Sequence, residues 1–273
     1  MVALGNKCGM NTRALLTNMD TPLGRTAGNW LEVKESVALL DPLRPVTHPA
    51  GTFSFREGYL FTVGQGDSTP QSGRGPHSKT LRDFAVGSSG RQLLDCASPL
   101  ALSGDLRCLV LTFAAHLLVQ AGKVKSLPAG RKRVEDCLNS GAPRRKWDEM
   151  LAAQGANLDA FNKKLVLDYT APAVVELKAE KSGFVSHCDA RLIGEVIRDL
   201  GGGRLTKESV INYDVGVDRL AKPSEPVKSG DVLVRVHAAS RADAKAACAR
   251  LKTAFEISAK TAPVSPLILE VVR

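Results

Sequence analysis

From Pro42 to Gly104 no hydrophobic period lasts more than a few residues, and roughly a third of the stretch is Gly, Ser or Pro. A structureless loop of this length is uncommon inside a compact domain. The segment therefore reads as a long irregular insertion, and any core must be built from the residues on either side of it.

The flank before it is short. NTRALLTNMD holds a β-prone run ending in a turn signal, and PLGRTAGNW follows as a glycine-containing turn. Trp30, Val33, Val37 and Leu40 then recur at helical spacing, which predicts one apolar stripe, with Asn29 as N-cap and Glu32 reaching back as in a capping box. Strand, glycine turn and capped helix make residues 1–41 a piece of an α/β layer.

The flank after it is longer. DLRCLVLTFAAHLLVQAG predicts a helix begun by Asp105 and ended by Gly122, with Leu106, Leu109, Val110, Phe113, Leu117 and Val119 as its apolar face. Two short helices follow, each opened near a proline (Pro128, Pro143) and closed near a glycine (Gly141, Gly155). Residues 105–165 thus form a helical cluster. Residues 166–273 are mixed: VVELKAE, GFVSHC, VINYDVGV, VLVRVHA and PLILEVVR read as strands. Between them, Asp189 caps a helix that turns Ile193, Val196, Ile197 and Leu200 inward, and Ser240 with Asp243 opens another through SRADAKAACARLKTAFEISAK. The expected fold is an α/β piece plus a helical cluster, followed by a C-terminal α+β domain with a barrel-like hairpin at KSGD.

Composition narrows the function classes. The net charge is +9 and is concentrated in GRKRVE and PRRKW, which favours anionic partners in general. Stacking aromatics are missing beside these clusters, since Trp147 falls at helical spacing with Met150 and Leu151 as a core anchor, so no nucleic-acid role is expected. No run approaches membrane-spanning length, and MVALGNKCGMNTR has no secretory apolar centre. Cys8, Cys96, Cys108, Cys137, Cys188 and Cys248 form no CxxC pair, which argues against zinc and fits a reducing, cytoplasmic compartment in which they act as small buried hydrophobes.

Local motifs add little chemistry. PLGRTAGNW lacks the spacing and the lysine of a phosphate loop, and GxGxxG is absent. Gly201, Gly202 and Gly203 end a helix. His116 reads as a core histidine, His187 and His237 stand on strands without a local acid or serine, and GPHSKT lies in the insertion. KSGDVLVRVHA resembles the turn and strand of biotinyl and lipoyl carriers, without the methionine that usually flanks their modified lysine.

A longer resemblance is more specific. ALLTNMDTPLGRTAGNWLEVKES resembles the segment of thymidine phosphorylases and pyrimidine-nucleoside phosphorylases that follows their pyrimidine-binding part. DLRCLVLTFAAHLLVQAG, CLNSG, WDEMLAAQG, SGFVSHCDARLIGEVIRDLGGGR, INYDVGV and VKSGDVLVRVHA continue it in the same order.

The resemblance implies homodimeric enzymes that cleave a pyrimidine nucleoside with phosphate, giving free base and a pentose 1-phosphate. The family's lysine, histidine and serine phosphate motif and its base-reading arginine, serine and lysine lie upstream of the matched region. No residue of 1–273 is therefore assigned to catalysis or substrate binding, and the chain is expected to be an N-terminally truncated member, inactive alone. Residues 42–104 have no counterpart in the family.

What the resemblance does carry over is a monovalent-cation site for potassium, made by the carbonyls of Leu23 and Thr26 and the carboxylate of Glu35. Hard cations take oxygen ligands. Glu35 as a solvated helix carboxylate is the other reading, and a non-catalytic binding or assembly module derived from the family is the other function.

Overall fold

The computed structural model describes residues 1–41, 47, 48, 51, 52, 104–261, 263 and 265–272. Most of the stretch expected to be an irregular insertion, including GPHSKT, lies outside the described residues. Its last residue, Gly104, already belongs to a helix.

The chain opens with α1 (Val2–Lys7), β1 (Ala14–Thr17) and α2 (Asn29–Leu40), and Thr47–His48 (β2) pairs with Gly51–Thr52 (β3). Four helices follow: α3 (Gly104–Gln120), α4 (Leu127–Asn139), α5 (Ala142–Ala153) and α6 (Leu158–Leu165). The rest is β4 (Ala173–Lys178), β5 (Gly183–Cys188), α7 (Ala190–Ile197), β6 (Gly216–Asp218), β7 (Pro226–Val227), β8 (Val232–Ala238), α8 (Arg241–Leu251), β9 (Phe255–Ser258) and β10 (Ile268–Val272).

Two antiparallel three-stranded sheets, ordered β4-β8-β6 and β7-β5-β9, enclose the main core with α7 and α8. Val185, Ile193, Val217, Leu220, Val234, Val236 and Leu251 are among its fully buried members. Alternation along β8 alone cannot describe this strand: every residue from Leu233 to Ala238 is buried, because both of its faces are covered.

The KSGD turn leads from β7 to β8, which belong to different sheets, so the expected barrel-like hairpin is instead a crossing between sheets. The turn at 228–231 is clasped by the turn at 179–182, through Ala179 N–H to the Asp231 carbonyl and Gly230 N–H to the Ala179 carbonyl, both 2.8 Å. Among the described residues the sheets form no closed barrel.

Capping was legible. The Asp189 carboxylate accepts from Leu192 N–H at 3.0 Å, and the Ser240 hydroxyl accepts from Asp243 N–H at 3.1 Å. Gly122, Gly141 and Gly155 all take positive φ at helix ends, and the chain leaves α7 through a π turn (Arg198–Gly202) at Gly201, φ 94°. α6 was not foreseen, although Asn157 caps it.

Other expectations need correction. VINYDVGV is extended only at its end, in β6, and Val210 and Tyr213 are exposed. SRADAKAACARLKTAFEISAK stops being helical after Leu251; a short 3₁₀ turn leads into β9, where FEIS pairs with β5. On α3 the buried residues are Cys108, Leu111, Thr112, Ala115 and His116, while Phe113 and Leu117 of the expected face are exposed. The segment is apolar on all sides, so its period selects no face. The small residues decide it, since α4 approaches so closely that a Cβ on Gly130 would sit 3.0 Å from the Ala115 carbonyl. α5 buries no residue fully, so Trp147 is half-buried rather than a core anchor. Cys188 and Cys248 are buried thiols as expected, whereas Cys8 and Cys137 are exposed thiols and Cys108 is disulfide-bonded.

The short N-terminal flank is not a separate layer. β1 pairs antiparallel with the C-terminal β10, Ala14 opposite Val272. Ala27 bridges Val217 on the edge of the β4-β8-β6 sheet.

Candidate functional site

The turn before α2 is tied into the C-terminal sheets. Ala27 exchanges both backbone hydrogen bonds with Val217 (2.9 and 2.8 Å), the Arg25 carbonyl accepts from Leu220 N–H, and Trp30 N–H donates to the Tyr213 carbonyl. The turn thus docks on the β6 edge through a β-bridge at Ala27, and α2 starts two residues later.

Gly28 makes this approach possible. Its φ is 126°, and a Cβ there would stand 2.6 Å from the Val215 carbonyl oxygen. Gly28, not Asn29, is the N-cap of α2. Asn29 is the first helical residue and sends its amide to the Gly202 carbonyl at 2.9 Å. Glu32 does reach back as expected, its Oε1 accepting from Gly28 N–H at 2.9 Å. The buried residues of α2 are Leu31 and Val37, so its inner face is rotated from the expected stripe. Trp30 instead meets Phe161 edge-on, ring centroids 5.4 Å apart, with the Lys164 ammonium over its ring.

One helical turn further on, Glu35 points back at the turn. Its Oε1 accepts from Arg25 N–H at 2.7 Å and its Oε2 from the Thr26 hydroxyl at 2.6 Å. The carboxylate sits directly on the glycine, where a Cβ on Gly24 would lie 2.4 Å from Oε2. Glu35 is therefore half-buried against the turn and is not a solvated helix carboxylate. The structure brings the Thr26 hydroxyl, not the carbonyl named in the ligand reading, against Glu35. Leu23, the third expected ligand residue, is partly exposed and lines the adjacent cleft with Pro22, Thr26, Glu32, Ala190 and Ile193.

Sequence spacing gave no sign of the charges around this turn. Asp105 at the start of α3 accepts from Gly24 N–H, 3.2 Å to each oxygen, and from the Lys222 ammonium at 2.8 Å. The same ammonium donates to the Pro22 carbonyl. The Arg25 guanidinium pairs with Glu225 and donates to the Leu220 carbonyl at 2.9 Å. Burial by itself lowers the pKa of this guanidinium, but the Glu225 carboxylate outweighs burial and raises it. These partners are separated by 81 to 200 residues, beyond any local spacing rule.

A second polar cluster lies under the linker before β4. Arg235 on β8 donates to Asp218 on β6 and to Asp168. Burial works to raise the Asp218 carboxyl, yet hydrogen bonding from Arg235 and the neighbouring His237 holds it at about 2. His237 is fully buried, with Nε2 3.2 Å from Asp218 Oδ1 and Nδ1 accepting from Thr170 N–H at 3.3 Å. The acid absent from its own strand is thus supplied by the next one. This cluster ties the linker to the sheet.

Among the described residues no cluster of His, Cys, Asp and Glu could hold a transition metal, and no helix is long and apolar enough to cross a membrane.

Residues 184–258, spanning β5 to β9, match the family model of the pyrimidine nucleoside phosphorylase C-terminal domain. The chain is 28% identical to the pyrimidine-nucleoside phosphorylase of Staphylococcus haemolyticus (strain JCSC1435) over 260 residues, covering 95% of this chain and 46% of that protein. With the pyrimidine-nucleoside phosphorylase of Staphylococcus aureus (strain USA300) it is 28% identical over 269 residues, 98% of this chain and 48% of that protein. The chain is accordingly related to the pyrimidine-nucleoside phosphorylases, and it spans about half the length of the curated relatives that it matches.

Proposed function

We propose that residues 1–273 provide the cation turn and C-terminal domain of a pyrimidine-nucleoside phosphorylase of the thymidine phosphorylase type. In that reaction a phosphate oxygen attacks the anomeric carbon of the nucleoside, and the base leaves with the electrons of the glycosidic bond and takes up a proton. The products are free base and pentose 1-phosphate. Such an enzyme must align phosphate with the anomeric carbon and stabilise the charge that develops on the base.

The observation that carries this reading is similarity along nearly the whole chain to relatives of that name. The geometry of the turn supports it. A monovalent cation such as potassium would be held by the carbonyls of Leu23 and Thr26 and by Glu35. The donor set is all oxygen, as a hard cation requires. When bound, the ion supplies positive charge that fixes the turn. The chain's own part is to seat Glu35 against Gly24 and to anchor the turn on β6.

In this reading residues 1–273 bear neither the phosphate site nor the base site, so the chain by itself does not turn over. The enzyme works in the cytoplasm as a homodimer on a pyrimidine nucleoside and phosphate. The test is release of thymine or uracil from thymidine or uridine in phosphate buffer by the purified chain. We expect none above the buffer blank, and phosphate-dependent release would show that a reaction centre lies within these residues.

A further inference from the structure

The side of the turn that faces the C-terminal domain carries an unusual assembly. The Lys222 ammonium, whose side chain is 14% exposed, lies between the Pro22 carbonyl and Asp105 Oδ2. Asp105 in turn accepts from Gly24 N–H. One charged group therefore holds a turn carbonyl and a carboxylate that grips the turn backbone. The separation of 2.8 Å from Asp105 is that of a charge-assisted hydrogen bond.

Arg25 does not take this role, because its guanidinium is directed to Glu225 and the Leu220 carbonyl. The other carboxylate at the turn, Glu35, is on α2 and bonds Arg25 N–H and the Thr26 hydroxyl. Lys222 is itself held in place, since its backbone N–H donates to Glu225 Oε2 at 2.9 Å.

We propose that Lys222 acts as a tethered monovalent cation for the turn at 22–26, its ammonium taking one carbonyl and one carboxylate as a dissolved potassium or ammonium ion would. It is a positioning residue: it presets the turn from the Asp105 side, so that an ion bound by Leu23, Thr26 and Glu35 meets a turn already formed. The inference rests on reading the segment as a cation turn.

The test is hydrogen exchange of the Gly24 and Arg25 amides in the full chain, in choline, potassium and ammonium chloride at equal ionic strength. Wild-type Gly24 and Arg25 amides should already be protected in choline chloride. In Lys222→Met both amides should exchange about tenfold faster in choline chloride, and potassium or ammonium should restore most of the protection. Lys222→Arg should stay near wild type. Unchanged exchange in Lys222→Met, or a loss that neither ion restores, would overturn the proposal. Should Lys222→Met also loosen the β8 amides, Lys222→Arg decides, because exchange that quickens in choline chloride with the charge retained there contradicts a tethered cation. The phosphorylase reading is judged by base release and not by exchange, so either can fail alone.

Discussion

Asp218 and Arg235 stand opposite each other on β6 and β8 and share two hydrogen bonds, 2.8 Å from Nε and 2.6 Å from Nη2. The pair joins the sheet that carries the turn at 25–30 to the linker through Asp168, which also bonds Arg235.

The pH dependence of stability follows from this pair. The folded carboxyl of Asp218 titrates at about 2, below its unfolded value. Its contribution is fully present above about pH 4 and is lost as pH falls through 2. Asp168 is depressed in the same direction by its hydrogen bond from Arg235. Asp218→Asn should cost about 2 to 3 kcal/mol at neutral pH, because it leaves buried Arg235 half-paired. Urea unfolding at pH 7 and at pH 3 measures this, and the gap between variant and wild type should narrow at the lower pH.

Gly28→Ala combines a positive φ with a Cβ 2.6 Å from a backbone oxygen that cannot move without breaking the Ala27–Val217 bridge. We expect a loss of about 2 to 4 kcal/mol. Thermal unfolding reports the loss, and quenching of Trp30 should show whether the start of α2 separates from α6.

Thiol reactivity separates surface from core. Cys8 and Cys137 are exposed, whereas burial pushes the Cys188 thiol up to about 12. A disulfide reagent at pH 8 should modify the two exposed thiols rapidly and reach Cys188 only after unfolding.

Glu35→Gln keeps the shape of the side chain but removes the charge facing Arg25 N–H and Thr26. The turn should lose about 1 kcal/mol of local stability, seen as faster exchange at Arg25. In a complete enzyme the same change should abolish the response of activity to potassium.

The C-terminal half was the more legible part of the sequence. Its caps at Asp189 and Ser240, and the strands at 173–178, 183–188 and 232–238, are local events signalled by residues within a few positions. The failures have physical causes. The apolar run of α3 offers a face in every direction, and the close approach of Gly130 selects one. FEIS was absorbed into a helix because nothing in its own sequence announces its pairing with β5.

At the site, Leu23, Thr26 and Glu35 came from a resemblance and from no spacing rule. Asn29 was displaced as cap because Gly28 alone tolerates the approach to Val215. Lys222, Asp105 and Glu225 were invisible, since they reach the turn only through tertiary contacts.

The most direct measurement is phosphate-dependent base release, made on residues 1–273 alone and on the same residues joined behind the N-terminal half of the Staphylococcus aureus pyrimidine-nucleoside phosphorylase. We expect no release from residues 1–273 alone and potassium-dependent release from the folded fusion. Release by residues 1–273 alone, or a folded fusion that binds nucleoside and phosphate yet frees no base, would contradict the assignment.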